Sequence, residues 1–211
     1  MLTLENALIW YEHINVVNGF SHIERVYKIS ERLALAENAD LDIVHAAALL
    51  HDVEGTVPGS EAREQHHLLS ANFAGRILQN EGWSEDRIKA VQHCIRTHRY
   101  RCDSEIPATI EAKCISDSEN LDVLGAIGAI RTMLCAAIDG SHIDVRPSQQ
   151  FLENWTKKPD ELYSAYHEYL FKIQKVEQKL FTQTAREIAK NRREFLNLFI
   201  EQLIAEIKGE K

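Results

Sequence analysis

Histidine and aspartate can bind metals, move protons and hold phosphates, and this chain places them where water should be excluded. The stretch "AAALLHDVEG", residues 46–55, runs an apolar segment straight into His51 and Asp52. Steps of three or four along other segments give similar stripes. They read His22, Val26, Ile29, Leu33; then Leu41, Val44, Ala48, Asp52 with His51 beside it; then His66, Leu69, Phe73, Ile77. Two more read Ile88, Val91, Ile95, His98 and Ile110, Cys114, Asp117, Leu121, Leu124. A lone histidine on an apolar face is usually a core residue bonded to a backbone carbonyl. Such residues on five helical patterns point to a shared task. A buried carboxylate without a partner costs several kcal/mol or takes up a proton. Two carboxylates and several imidazoles facing one interior call for a shared cation, and a divalent metal supplies it. Nitrogen and oxygen donors without thiolates suit Mn, Mg, Co, Ni, Zn or Fe. His51 and Asp52 are adjacent, so on an ideal helix they point about 100° apart. Both reach one ion only at the end of a helix.

The elements that must position these residues are helices. Apolar residues recur with the helical period along nearly every long segment, and convincing strand alternation is absent. The pattern predicts an all-α fold with helices at about 2–17, 21–37, 40–52, 62–81, 84–99, 107–121, 122–138, 159–180 and 183–208. Ser21 and Glu24 have the spacing of a capping box. Asp40 and Ser84 suit N-caps, and Pro107 suits a first helical turn. Two loops interrupt the pattern: "HDVEGTVPGS" and, at 139–150, "DGSHIDVRPSQQ". The second suggests a core over 1–140 and a C-terminal helical extension over 141–211.

Bulk composition narrows the partners. The 211-residue chain carries a formal charge of −8, with 45% hydrophobic and 27% charged residues. That balance argues against gripping extended nucleic acid through a broad basic face, while leaving a small phosphorylated substrate open. No apolar run approaches the roughly 20 residues that span a bilayer. The first residues lack a basic leader, and the four cysteines show no CxxC spacing. The expectation is a cytoplasmic protein with reduced cysteines and no membrane partner. The amphipathic C-terminal helix suits packing or a homodimer.

The motifs "SHIERV", "ALLHD" and the helical Asp117 together resemble the HD superfamily of metal-dependent phosphohydrolases. The segment "TIEAKCISDSENLDVLGAIGAIR" is similar to the "EAxxxxDADxLDxxGAxGxxR" run of its small standalone bacterial members, and "TQTAREIAKNRREFLNLFIEQ" is similar to their C-terminal helix. The resemblance covers most of residues 20–204. It implies an HD-type helical bundle and makes His22, His51, Asp52 and Asp117 the metal ligands. In this chain "DAD" reads "DSE", so Glu119 replaces an aspartate and Asn120 stands where arginine is common. The implied activity is hydrolysis of a phosphoester or phosphoanhydride, in a small nucleotide, as nucleotidase, triphosphate pyrophosphohydrolase or phosphodiesterase.

Several residues could complete such a site. Glu54 is the candidate general base, or else a solvated loop carboxylate. His66 and His98 could contact phosphate, hold a second metal or protonate a leaving group, or else support the ligands from outside. Arg25, one turn beyond His22, could hold a phosphate or pair with an aspartate. Arg96 and Arg99, in "RTHRYR", could attract phosphates or simply end a helix favourably. The alternative to an enzyme is a non-catalytic, metal-stabilised HD module acting as nucleotide sensor or scaffold. A redox-active di-iron site is a third option.

Overall fold

The computed structural model describes residues 2–11, 19–55, 60–99, 105–143, 145–171 and 173–211. It is all-α: no strand occurs among these residues, and an isolated bridge joins His142 and Ser164. The helices are α1 (Leu4–Ala7), α2 (Phe20–Glu37), α3 (Leu41–Leu50), α4 (His66–Asn80), α5 (Glu85–Thr97) and α6 (Ile110–Leu121). They continue as α7 (Gly125–Ile138), α8 (Gln149–Asn154), α9 (Ala165–Phe171) and α10 (Gln183–Ile207). Short 3-10 turns cover Leu8–Trp10, Glu61–Glu64 and Ile173–Lys179.

The chain divides into two compact units, residues 1–120 with 180–186, and residues 121–179 with 187–211. The boundary expected near residue 140 falls inside the second. In the first unit α3 is the central helix and packs against α2, α4 and α5. Its sequence explains this: Ile43, Val44, Ala46, Ala47, Ala48, Leu49 and Leu50 are all buried. Each large aliphatic side chain among them contributes about 1.5–3 kcal/mol. Asp40 caps α3 as expected, its Oδ1 accepting from the amides of Asp42 at 3.0 Å and Ile43 at 3.3 Å.

Other local expectations fail for identifiable reasons. Gly19 is the N-cap of α2, and no side chain caps it, so the Ser21–Glu24 box does not form. Helix α6 starts at Ile110, three residues past Pro107, with Thr109 accepting from the Ala112 amide at 3.2 Å. The helix expected over 2–17 begins as α1, and residues 12–18 lie outside the described ones. Helix α8 falls partly in the expected second loop, capped by Ser148. On α4 the buried side is His66, His67, Ser70, Ala71, Ala74 and Leu78, whereas Leu69 is exposed. Small residues win this face because α4 lies close to α5: a Cβ on Gly75 would stand 2.5 Å from Gln92 Nε2.

In the second unit α7 packs against α9. The Arg192 guanidinium donates to the Leu121 carbonyl at 2.7 Å, and the Tyr169 hydroxyl donates to Asn197 Oδ1 at 2.6 Å. Glu161 is tied to the Ser148 hydroxyl at 2.6 Å and the Lys158 amide at 2.8 Å. Despite its burial, these donors and His167 bring its carboxyl down to about 2.

The start of α10 belongs to the first unit and is held by a buried carboxylate. Asp117 accepts from the Phe181 amide at 2.9 Å, the Thr182 amide at 2.8 Å and the Thr182 hydroxyl at 2.7 Å. The Thr182 hydroxyl in turn accepts from the Ala185 amide at 3.2 Å, so Thr182 caps α10 and Asp117 fastens the cap. Asp117→Asn puts an amide donor among these donors. The change should lower stability by about 1–3 kcal/mol, read as an earlier midpoint in urea unfolding. An unchanged midpoint would show that the clasp contributes nothing.

Candidate metal centre

All the residues below belong to the first unit. His51 directly follows α3, His98 directly follows α5, and His66 opens α4 after the 61–64 turn. Carbonyls in the last turn of a helix lack an intrahelical donor. These imidazoles use them or their like. His51 Nδ1–H donates to the Ala48 carbonyl at 2.8 Å, His66 Nδ1–H to Arg63 at 2.8 Å, and His98 Nδ1–H to Ile95 at 2.5 Å. Each bond reaches three residues back, fixes the ring and leaves Nε2 with its lone pair. Gly55 makes room for this, since a Cβ there would lie 3.1 Å from His66 Cα and Cβ, and its φ is +69°.

The Nε2 atoms converge on two carboxylates. His22 Nε2 lies 3.2 Å and His51 Nε2 3.0 Å from Glu119 Oε1. His66 Nε2 lies 3.2 Å and His98 Nε2 3.5 Å from Asp52 Oδ1, while Asp52 Oδ2 is 3.9 Å from His51 Nε2. Two triads result, His22–His51–Glu119 and Asp52–His66–His98, each with ligand atoms within 4.8 Å of one another. Asp52 stands between them, one oxygen toward each.

Acceptors facing acceptors do not hold together unaided. His66 and His98 present Nε2 atoms 3.2 Å apart while both Nδ1 atoms are already donating. His51 Nε2, Asp52 Oδ1 and Glu119 Oε1 are buried with no hydrogen-bond partner among the described residues. A cation resolves both. Two donors about 2.1 Å from one ion lie about 3.0–3.4 Å apart at octahedral or tetrahedral angles, which matches the spacings here. The residues present therefore fit a divalent ion at either triad.

The acid–base balance points the same way. Burial would raise the Asp52 carboxyl, yet His51, His66 and His98 hold it well below the usual range. Burial would also raise Glu119, and His22 with His51 hold it well below. His51 is pushed down by burial but raised overall by Asp52 and Glu119. His98 is lowered, mainly by burial.

The sequence-derived candidates divide as follows. His22, His51, Asp52, His66 and His98 are brought together. Asp117 is not: both its oxygens are committed to Phe181 and Thr182, and Glu119, two residues on, faces the cluster instead. Burial pushes the Asp117 carboxyl up even against its three donors. Glu54 is held through its backbone, its amide donating to Ser70 Oγ at 3.1 Å, and it belongs to neither triad. Arg25 is partly buried on α2. Arg96 is turned to a different task, pairing with Glu105 through Nε at 2.8 Å and Nη2 at 3.0 Å. That carboxyl drops to about 2, chiefly through Arg96. Arg99 stays beside the cluster, donating to the Glu64 carbonyl and lying 3.5 Å from His67 Nδ1. His67 was not anticipated; burial, then Arg99, His66 and His98, lower it to about 4, so it is neutral at pH 7. Tyr100 and Arg101 of "RTHRYR" lie outside the described residues.

The HD domain family model matches residues 19–124, half of the chain. The uncharacterized protein YpgQ of Bacillus subtilis is 29% identical over 195 residues, covering 91% of this chain and 85% of YpgQ. The crystal structure of YpgQ in complex with ADP superposes with a TM-score of 0.74 at 28% identity, covering 99% of this chain and 100% of that one. An HD-superfamily hydrolase from Bacillus thuringiensis gives 0.69 at 24% identity, covering 97% and 96%, and shares the fold.

Binding of an ion should displace protons. His51 has its pKa raised above 6.5, so near pH 6.5 it is protonated in the ion-free cluster. Manganese titrated into metal-free protein at that pH, in two buffers of different ionisation enthalpy, should release protons. Release should fade as the pH rises and the imidazole is already bare. Proton uptake, or none, would contradict this charge assignment.

Proposed function

This chain belongs to the HD domain family, and we propose that it is a metal-dependent hydrolase of phosphoesters or phosphoanhydrides in small nucleotides. The observation that carries this reading is the convergence of imidazole nitrogens on two buried carboxylates, a donor set for divalent ions. In this reading His22, His51 and Glu119 hold one ion. His66 and His98 act with Asp52 as holders of a second, their Nδ1 atoms already engaged by the Arg63 and Ile95 carbonyls. A divalent ion bound here lowers the pKa of water and offsets charge on phosphoryl oxygens.

The chain's own residues supply the rest. Glu54, anchored through Ser70, is the proposed acceptor of the proton that an attacking water loses. In that step the water oxygen bonds to phosphorus and the bond from phosphorus to the leaving oxygen breaks. Arg99 is the proposed phosphate contact, with neutral His67 keeping it from facing a second charge. Arg25 is a second proposed contact, on the helix that carries His22. A nucleotide substrate is supported by YpgQ, whose structure was solved with ADP. The name of the Bacillus thuringiensis neighbour supports hydrolysis.

The test is turnover by protein loaded with Mn, Co, Ni or Mg, against nucleoside mono-, di- and triphosphates, cyclic nucleotides and simple phosphoesters. Wild type should release phosphate or pyrophosphate, and His51→Ala should abolish that release. Glu54→Gln should keep its metal and slow turnover by about 10²–10⁴-fold. Wild-type protein that holds its full metal and turns nothing over would instead establish the sensor or scaffold role.

A further inference from the structure

His51 and Asp52 converge although successive helical residues point about 100° apart. His51 keeps helical angles, φ −67° and ψ −30°, so where the end of α3 is held decides where both side chains point. Tyr11 stands at that helix end. Its ring is 3% exposed and packs on Phe20 with centroids 5.7 Å apart. Its hydroxyl donates to the Leu49 carbonyl at 2.8 Å. One buried phenol thus holds the last turn of α3, which runs directly into His51 and Asp52.

We propose that Tyr11 is a positioning residue for the ion-binding groups: its hydroxyl, held on the Leu49 carbonyl, fixes the end of α3 from which His51 and Asp52 reach the two triads. The inference rests on the metal reading of the preceding subsection. A tyrosine suits the task because a packed ring has few torsions to lose and its hydroxyl donates to the carbonyl. Removing the oxygen leaves a buried carbonyl to find another partner, and the side chains that follow it shift with the helix end. The phenol touches no ion and no substrate in this account.

Calorimetric titration of manganese alone into the metal-free full chain tests it. Tyr11→Phe keeps the ring and should weaken manganese binding by about 10–100-fold. Tyr169→Phe removes a different tyrosine hydrogen bond, that to Asn197, and should leave the affinity as in wild type. Equal affinity in Tyr11→Phe and wild type overturns the inference while leaving the metal reading intact. A wild type that takes up no manganese, cobalt, nickel or magnesium overturns both. If Tyr11→Phe does not fold, Tyr11→Gln is compared with Tyr11→Met, of similar size but without a donor. Gln should bind manganese the more tightly, and equal binding overturns the inference.

Discussion

The fold is arranged around an electrostatic problem that its own side chains do not solve. The Nδ1 protons of His51, His66 and His98 are spent on backbone carbonyls, so lone pairs face carboxylate oxygens inside the first unit. Coulomb repulsion between such groups grows as water is excluded. Protons can relieve it in part, as the raised His51 shows, but a divalent cation relieves it at every contact. A buried ionic cluster of this kind is weak evidence for stability and better evidence for a task.

The backbone supplies the geometry cheaply. A histidine just past the last turn of a helix finds a carbonyl that no amide claims, and the bond to it decides which nitrogen faces inward. Two helix ends and one helix start do this, and the buried α3 brings two of the ligands to the place where the others meet. Asp117 does the converse work on the same helix as Glu119. It spends its charge on the amides at the start of α10, where the helix dipole favours an anion, and leaves its neighbour to face the imidazoles.

Most of this was legible in the sequence, and the gaps have physical causes. Helices were readable because their apolar period is strong, and His22, His51, Asp52 and His98 stood out as polar residues on those stripes. The fourth position was read as Asp117, whereas Glu119 is the carboxylate that faces the imidazoles, because α6 has no dry side and wet side. Cys114, Ile115, Ser116, Asp117, Ser118, Asn120 and Leu121 are all buried, so periodicity could not choose between two carboxylates two residues apart. Arg96 read as a phosphate contact because Glu105, nine residues away across a turn, gives no local signal of pairing. His67 and Tyr11 escaped notice because their partners come from distant segments. On α4 the apolar stripe misled for a different reason: close approach to α5 selected Ser70, Ala71 and Ala74 over larger side chains.

Anomalous diffraction from crystals grown with manganese tests the central claim most directly. The account predicts a peak about 2.0–2.3 Å from His22 Nε2, His51 Nε2 and the Glu119 carboxylate, with Asp117 still bound to Thr182. A peak coordinated by Asp117, or manganese bound only at the protein surface, would contradict it.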